Sequence, residues 1–414
     1  MNWFLILFAI FFAAEHLLEY CLTFLNLNFV RRHEKEVPSY FRDKITLEEY
    51  QKSIRYTRDK ARLGVISSLV EIPIFWAMIL SGFFGNVDFW ARSFGRSSVA
   101  TGLIYFAVMS ALFYLISLPF TLYSTFVIEQ RYGFNKMTLK LWLTDFVKGL
   151  LLSLAIGVPV LSAVLWFMDH YIHSLWWLYV WVLLAAVQLF ITSLFPVFIV
   201  PLFNKLTPLE EGSLKERIRA IAQKVKFKMS GVFTMDGSKR SAHSNAFFAG
   251  MGKFRRIVLF DTLVNSLSES ELVAVLAHEM GHNLKKHVRT GLLLGLGTSL
   301  LGLYVLSLII RAPWFYEAFG FKTPSSYAAL FIFVKASGSF LFFLEPLLSM
   351  LSRKHEFEAD RFAVEAIGAA EPMIKGLVKL TKDNLSNLTP HPLYSFFYYS
   401  HPTVMERITA LEKT

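Results

Sequence analysis

Long apolar runs alternate with polar segments along the chain, and seven of the runs have the length of a membrane-spanning helix. About 20 mostly apolar residues are needed for a helix to cross a bilayer. The runs cover residues 3–25, 63–84, 99–127, 143–168, 175–200, 290–310 and 327–351. The pattern therefore predicts an all-α, multi-pass membrane protein with seven transmembrane helices.

Two polar segments divide the chain into four parts. Residues 1–200 are predicted to form a membrane region of five helices, residues 201–289 a polar insert, residues 290–352 the last two membrane helices, and residues 353–414 a polar C-terminal tail. Within the insert, residues 245–250 and 257–261 flank residues 251–253 and predict a β-hairpin. We therefore expect a small α+β domain beside the membrane helices. The hairpin edge could pair with an extended peptide, although packing alone would explain it equally well.

Composition and charge support a membrane protein. Hydrophobic residues make up 54% of the chain and charged residues 18%, against about 45–50% and about 25% in soluble domains.

The net charge is +11, but Lys and Arg are concentrated in alternate connections between the apolar runs. They number 10 in residues 26–62 and 15 in residues 201–289, but 2 in residues 85–98 and none in residues 169–174. The positive-inside rule then places the N-terminus outside and both large polar segments in the cytoplasm. No basic and aromatic recognition module is found, so nucleic-acid binding is not expected.

Two ionisable residues lie near the middle of predicted spans. An isolated charge at the bilayer centre costs at least about 2.5 kcal/mol, so Glu71 and Lys335 should face one another, a polar interior or a water-filled cavity. A structural ion pair and a functional lining explain them equally well. The single cysteine, Cys21, excludes both intramolecular disulfides and a cysteine-based zinc site.

The insert ends in a zinc-protease motif, His-Glu-Met-Gly-His, at residues 278–282. Ser268 and Glu271 have the spacing of a capping box, which predicts that a helix begins just before the motif. His278 and His282 would then project from one face, about 40° apart, and could supply two ligands of a zinc ion. Glu279 would reach a metal-bound water and act as general base.

The third zinc ligand is predicted on the segment that leaves the last span. Glu356 and Asp360 are four residues apart, so one carboxylate can bind zinc while the other orients a histidine ligand. Glu358 lies about 200° from Glu356 around a helix and is not expected to bind the metal. His287 would point about 180° away from His278 on an unbroken helix. No Gly or Pro stands between His282 and His287 to break it, so His287 is also not expected to bind the metal.

These motifs resemble those of the type I CAAX prenyl endopeptidases, a family of integral membrane zinc metalloproteases of the gluzincin type. The resemblance extends over nearly the whole chain and includes residues 240–247, 352–360 and 400–402, with landmarks at 129–135 and 203–205. It implies seven tilted helices around a large internal chamber, capped by the zincin-like domain. It also implies that Asn245 and His401 contact the substrate backbone or steady the oxyanion. Ala246, Phe247 and Arg407 are further predicted substrate-binding residues. Without the resemblance, His401 would be interpreted as a loop residue.

We therefore predict an enzyme that holds one Zn²⁺ per chain and hydrolyses peptide bonds. By resemblance, it would remove the C-terminal tripeptide that follows a prenylated cysteine, and its partners would be such peptides or proteins and the lipid bilayer. Two alternatives stay open: a membrane quality-control metalloprotease without prenyl specificity, and a non-catalytic transporter or scaffold with a vestigial zinc site. The compact chain favours a bacterial inner membrane, with the endoplasmic reticulum as the alternative.

Overall fold

The computed structural model of the chain describes residues 2–250 and 255–414. Within them, seven helices are long and apolar enough to cross a membrane, and each contains or closely matches one predicted run. We number them spans 1 to 7: Trp3–Arg32, Leu47–Leu80, Ser98–Tyr132, Leu139–His170, Trp176–Phe203, His287–Ile309 and Ser326–Ile367. The prediction of seven membrane helices is confirmed. Span 7 continues well beyond its apolar run, so the same helix carries the polar segment 352–360.

A small sheet and shorter helices make up the remaining regular structure of the described residues. The strands are β1 (Leu206–Pro208), β2 (Gly231–Met235), β3 (Ala246–Ala249) and β4 (Arg256–Phe260). Their order is β1-β2-β4-β3, with β2 and β4 parallel and the other pairs antiparallel. The shorter helices are Phe83–Arg92, Ser213–Lys224, Asp261–Ser266, Glu269–Leu284, Pro313–Glu317, Glu371–Asp383, Pro392–Tyr398 and Val404–Leu411. The expected α+β domain is therefore present.

Strands β3 and β4 form the antiparallel pair that the sequence predicts. Ala246 lies opposite Leu259, and the pairing continues to Ala249 opposite Arg256. Residues 251–253, which the prediction assigned to the turn, fall outside the described residues. Strand β3 is at the edge of the sheet, so one of its sides is available for a further strand.

The polar connections gather at two opposite ends of the bundle. At one end, Arg92 donates to the Thr323 carbonyl oxygen at 3.4 Å, and an Arg311 guanidinium nitrogen lies 2.9 Å from His173 Nδ1. At the other end, Arg240 of the insert forms two hydrogen bonds of 2.7 and 2.9 Å with Asp145 of span 4. The connections therefore alternate as the charge pattern requires, while which end is cytoplasmic stays a prediction.

The two mid-span charges face a common cavity. Glu71 of span 2 and Lys335 of span 7 line a space of about 480 Å³ between spans 1, 2, 3 and 7. The Lys335 ammonium lies 3.6 Å from the centre of the Phe113 ring, and Glu71 accepts a hydrogen bond from Ser67 at 2.8 Å. Each residue thus has a local contact and also faces the cavity, as expected for ionisable groups within a membrane region.

The helix Glu269–Leu284, which we call the motif helix, lies between the sheet and span 7. One face packs into the core formed with β2 and β4, which includes Ile257, Leu259, Leu272, Leu276 and Met280. The opposite face meets span 7 through Ala277, Ala363 and Ala366. A Cβ atom added at Gly281 would lie 3.1 Å from the Ala359 Cα atom. Small residues therefore let the two helix backbones approach closely.

We predict that Gly281→Ala destabilises the protein although alanine is the better helix former. The added methyl would press against the backbone of span 7, which cannot rotate away, and such overpacking typically costs about 1–3 kcal/mol. Alanine recovers about 1 kcal/mol of helix propensity. The melting temperature in detergent should fall by a few degrees.

Gly376→Ala is the matched control for this prediction, because Gly376 also lies in a helix of the same domain. Its Cβ would lie an ordinary 3.5 Å from Val275 Cγ2, so this variant should melt at or above the wild-type temperature. Equal melting temperatures for the two variants would contradict the close-approach argument.

Candidate active site

The motif helix begins where its capping box predicts. Ser268 is the N-cap: the Glu271 backbone N–H donates to Ser268 Oγ, and the Ser268 backbone N–H donates to the Glu271 carboxylate at 2.8 Å. The helix then continues through the motif to Leu284. His278 and His282 project from the same face, with ring centroids 4.8 Å apart.

Three predicted metal ligands converge between the motif helix and span 7. His278 Nε2 and His282 Nε2 are 3.1 Å apart, and the Glu356 carboxylate lies 3.5 Å from the first and 3.2 Å from the second. Ligand atoms bound at about 2.0–2.1 Å to one tetrahedral zinc ion stand about 3.3 Å apart. The three side chains therefore have the separations that one zinc ion requires.

The chemistry of this group also fits a cation. Two neutral imidazole nitrogens with lone pairs cannot face each other at 3.1 Å without a proton or a metal ion between them. In addition, Glu356 Oε2 is buried without a well-aligned hydrogen bond from the described residues. A donor set of two histidines and one glutamate, three protein ligands rather than four, is typical of catalytic rather than structural zinc sites.

Asp360 contacts His278 at Nδ1, the ring nitrogen that does not face His282. Its carboxylate lies 2.8 Å from His278 Nδ1 and accepts two hydrogen bonds from Arg407, at 2.8 and 2.6 Å. Burial lowers the pKa of His278, but the hydrogen bonds with Asp360 and Glu356 outweigh burial and raise it to about 8. The surroundings of His278 thus favour a positive charge.

Arg407 was predicted to bind substrate, but its side chain is mostly buried against the carboxylates of the candidate site. Its side chain is only 11% exposed, and its guanidinium faces Asp360 and Glu356. The charge of Asp360 keeps the pKa of Arg407 high even though burial opposes it. The structure therefore makes Arg407 a support for the two carboxylates, and substrate contact by Arg407 stays a prediction.

Glu279 and His401 lie beside the three converging side chains. Burial raises the pKa of Glu279, while the adjacent histidines His278 and His282 oppose that rise. The imidazole of His401 is 65% exposed, and its Nδ1 lies 2.8 Å from Glu356 Oε2. Arg353 was missed by the sequence reasoning: it donates to the carbonyl oxygens of Phe396 and Tyr399, just before His401. One carboxylate and one exposed imidazole thus border the place where a metal would lie.

On an unbroken helix His287 would point away from His278, and that expected geometry is wrong because the helix breaks. His287 is not one of the three converging side chains, and its exclusion from the metal site stays a prediction. The motif helix ends at Leu284, Lys286 takes a left-handed conformation with φ 65°, and span 6 starts at His287. This turn brings His287 Nδ1 to 3.1 Å from His282 Nδ1. A lysine in this conformation is strained, so residue type alone did not indicate the break.

The segment before strand β3 is anchored on two sides. His243 stacks on Phe134 with ring centroids 3.8 Å apart, and Nε2 of His243 lies 3.3 Å from the Glu129 carboxylate. The Asn384 side chain accepts from the Ser244 N–H and donates to the Ser244 carbonyl, at 3.1 and 3.2 Å. The sequence motifs contain Glu129 and His243 but gave neither residue a role of its own, and Asn384 was missed. A distant polar residue of this kind carries no local sequence signal.

The predicted substrate residues lie along this edge of the sheet. Asn245 is exposed and directly precedes β3. Ala246 and Phe248 pack toward the motif helix, whereas Phe247 packs on the opposite face against Val258. The structure thus places Ala246 and Phe247 on the edge strand and Asn245 directly before it, and their contacts with a substrate stay a prediction.

Comparison with known proteins covers both halves of the chain. Residues 26–205 match the CAAX prenyl protease N-terminal region with five membrane helices. Residues 208–414 match peptidase family M48. The membrane region and the motif-bearing region therefore match two parts of one kind of protein.

Relatives of similar length extend this result. The chain is 39% identical to CAAX prenyl protease 1 of Saccharomyces cerevisiae, over 92% of this chain and 89% of the relative. It is 32% identical to a human CAAX prenyl protease 1 homolog, over 88% and 86%. The crystal structure of S. mikatae Ste24p superposes with a TM-score of 0.91 at 36% identity and covers 99% of each chain.

These relatives have two consequences. They come from eukaryotes, so the predicted bacterial inner membrane has no support, and the endoplasmic reticulum stays a prediction. They also exclude a vestigial transporter or scaffold, because the relatives are named as proteases. The chain belongs to the type I CAAX prenyl protease family of membrane metallopeptidases.

Proposed function

We propose that this membrane metallopeptidase uses zinc, held by His278, His282 and Glu356, to cleave the C-terminal tripeptide from prenylated proteins. The observation that carries the proposal is the convergence of these three side chains, whose ligand atoms all lie within 4.8 Å of one another. Glu279 follows His278 directly and is not one of the three. A base therefore stands next to the metal position without occupying it.

Zinc bound at this position would lower the pKa of a coordinated water and polarise the scissile carbonyl group. Glu279 would take a proton from the attacking water and later deliver it to the leaving amine. Its partly buried carboxylate favours the exchange, because burial raises the pKa of Glu279 toward the range of a useful base and acid. Asp360 and Arg407 would keep His278 oriented throughout the reaction.

The substrate would bind as an extended strand along the free edge of β3. Backbone groups of an edge strand can pair with a peptide in any sequence context, which suits an enzyme that cleaves many proteins. Asn245, just before β3, and His401, exposed beside Glu356, would donate hydrogen bonds to the substrate backbone or the developing oxyanion. Arg353 would keep the segment before His401 in place.

The relatives' name supports prenylated substrates for this chain. A prenyl group partitions into a bilayer, so an active site built at the end of seven membrane helices suits such a substrate. The rival is a membrane quality-control protease that recognises unfolded membrane segments without regard to a prenyl group. The two functions differ in whether a prenyl group on the peptide controls cleavage.

The catalytic end of the bundle is proposed to face the cytoplasm. It carries residues 26–62, the insert and the C-terminal tail, which hold most of the Lys and Arg residues. Positive connections remain on the cytoplasmic side during insertion. The N-terminus would then lie outside the cytoplasm.

The substrate class is tested by comparing a farnesylated peptide ending in Cys plus three residues with the same peptide lacking the farnesyl group. We expect the detergent-purified protein to cleave the farnesylated peptide at the bond after cysteine at least about tenfold faster, since the lost apolar contact removes binding energy. Chromatography with mass spectrometry would identify the products. A chelator should abolish both activities. Equal cleavage of the two peptides would favour the quality-control function.

Glu279→Gln should lose peptide hydrolysis while zinc binding persists. Glutamine keeps the size of the side chain but cannot accept the proton, and a positioned base typically contributes about 10²–10⁴-fold. Turnover and zinc content by atomic absorption are the two measurements. Wild-type turnover in this variant would exclude Glu279 as the base, and loss of zinc would show that it is a ligand.

Glu356→Ala should lose both zinc and activity, since it removes one of three protein ligands. Glu365 provides a matched control, because it is an exposed glutamate on the same helix. Glu365→Ala should keep about one zinc ion per chain and normal turnover. Retention of zinc by Glu356→Ala at micromolar free metal would mean that another side chain is the third ligand.

A further inference from the structure

We infer that His287 and Glu358 are positioning residues that hold His282 in the tautomer and orientation needed to bind zinc. This inference rests on the proposed zinc site. It concerns a line of three side chains, His282, His287 and Glu358, that leads away from the metal position. Asp360 and Arg407, in contrast, lie beside the other histidine of the motif.

The contacts form a continuous line from the metal position outward. His282 Nε2 faces His278 Nε2 and Glu356, while its other nitrogen, Nδ1, lies 3.1 Å from His287 Nδ1. His287 Nε2 lies 3.0 Å from a Glu358 carboxylate oxygen. The His287 side chain is only 6% exposed and Glu358 is 40% exposed. The line therefore runs from a buried imidazole to a carboxylate at the surface.

The carboxylate at the outer end sets the direction of every hydrogen bond in this line. Ionised Glu358 can only accept, so His287 Nε2 must carry the hydrogen. Neutral His287 then has a lone pair on Nδ1 and accepts from His282 Nδ1–H. His282 is left with its lone pair on Nε2, which is the atom that faces the metal position. The arrangement thus selects the one neutral tautomer of His282 that can bind zinc there.

The backbone supports the same conclusion. An unbroken helix would carry His287 away from His282, and the left-handed Lys286 is what brings it back. The left-handed conformation is strained for any residue other than glycine. Strain of this kind persists where surrounding contacts require the conformation. His287 also stacks on His355 of span 7, with ring centroids 4.0 Å apart and planes 9° from parallel, so its ring cannot turn freely.

The two histidines, His278 and His282, are therefore oriented by different hydrogen-bond partners. Asp360 accepts directly from His278 and is itself fixed by Arg407. His282 is held through a second imidazole, with Glu358 at the end of the line. Glu356, Glu358 and Asp360 come from one short stretch of span 7. This stretch would therefore supply one zinc ligand, Glu356, and two orienting carboxylates, one for each histidine.

The test is zinc affinity of the full-length protein in detergent, measured by competition with a chromogenic chelator. His287→Leu keeps an apolar side chain in the buried site but removes both hydrogen bonds. Losing an orienting partner typically weakens metal binding about 10–100-fold, and we expect a loss in that range. Glu365→Gln should bind zinc like the wild type.

His287→Gln separates positioning from packing. Its amide oxygen can accept from His282 and its amide nitrogen can donate to Glu358, so it should bind zinc more tightly than His287→Leu does. Equal affinities for the two variants would overturn the hydrogen-bonding role. The visible absorption of the cobalt-substituted protein should change in His287→Leu, because the spectrum reports ligand geometry, and an unchanged spectrum would also count against the inference.

A double-mutant cycle tests whether the line acts as one unit. Glu358→Ala alone should weaken zinc binding by less than His287→Leu does, because water can replace an exposed acceptor. In the His287→Leu background it should add no further loss, since the two residues act through the same contact. Full additivity would overturn the inference. Failure of the proposed zinc site itself would look different, because the wild type would then bind no zinc.

Discussion

The active site depends on the close crossing of two helices, the motif helix and span 7. Gly281 and alanines on both sides bring the backbones together, and a Cβ at Gly281 would lie 3.1 Å from Ala359 Cα. His278 and His282 come from one helix and Glu356 from the other, so their separations are set by this crossing.

Buried charge is the second constraint, because the crossing places several ionisable groups in one dry region. Glu356, Asp360 and Arg407 are each less than 12% exposed. Such groups are tolerated only when they are paired or bind a metal. Arg407 neutralises the negative charge of Asp360, while Glu358, at the outer end of the line from His282, keeps its charge at the partly exposed surface. The buried charges of the site therefore depend on one another for their partners.

The membrane helices and the catalytic domain form one structure rather than two tethered parts. Span 7 continues from the membrane region through Glu356 and Asp360, with one 3-10 turn at Phe342–Leu344, and Arg240 ties the insert to Asp145 of span 4. His391 N–H donates to the side chain of Asn26 in span 1 at 3.0 Å. A peptide bound at β3, as proposed, would thus be positioned relative to the bilayer as well as to the proposed catalytic residues, which suits the proposed prenylated substrates.

The sequence by itself determined the elements and most of the candidate chemistry. Seven apolar runs, the capping box at Ser268 and the four-residue spacings of His278 with His282 and of Glu356 with Asp360 are local patterns, and local patterns follow from helix periodicity. These patterns also separated Glu356 from Glu358, because the two point in different directions on one helix. The membrane helices and the motif helix appear in the structure where these patterns placed them.

Only the tertiary structure decided how residues distant along the chain meet. The break at Lys286 has no sequence signal, since neither Gly nor Pro marks it, and it brings His287 beside His282 where an unbroken helix would carry it away. Arg407 pairs with Asp360, Asn384 holds Ser244, and Arg353 holds the segment before His401, across separations that no periodicity encodes. Long-range polar contacts of this kind depend on which helices pack together, and packing is a property of the whole fold.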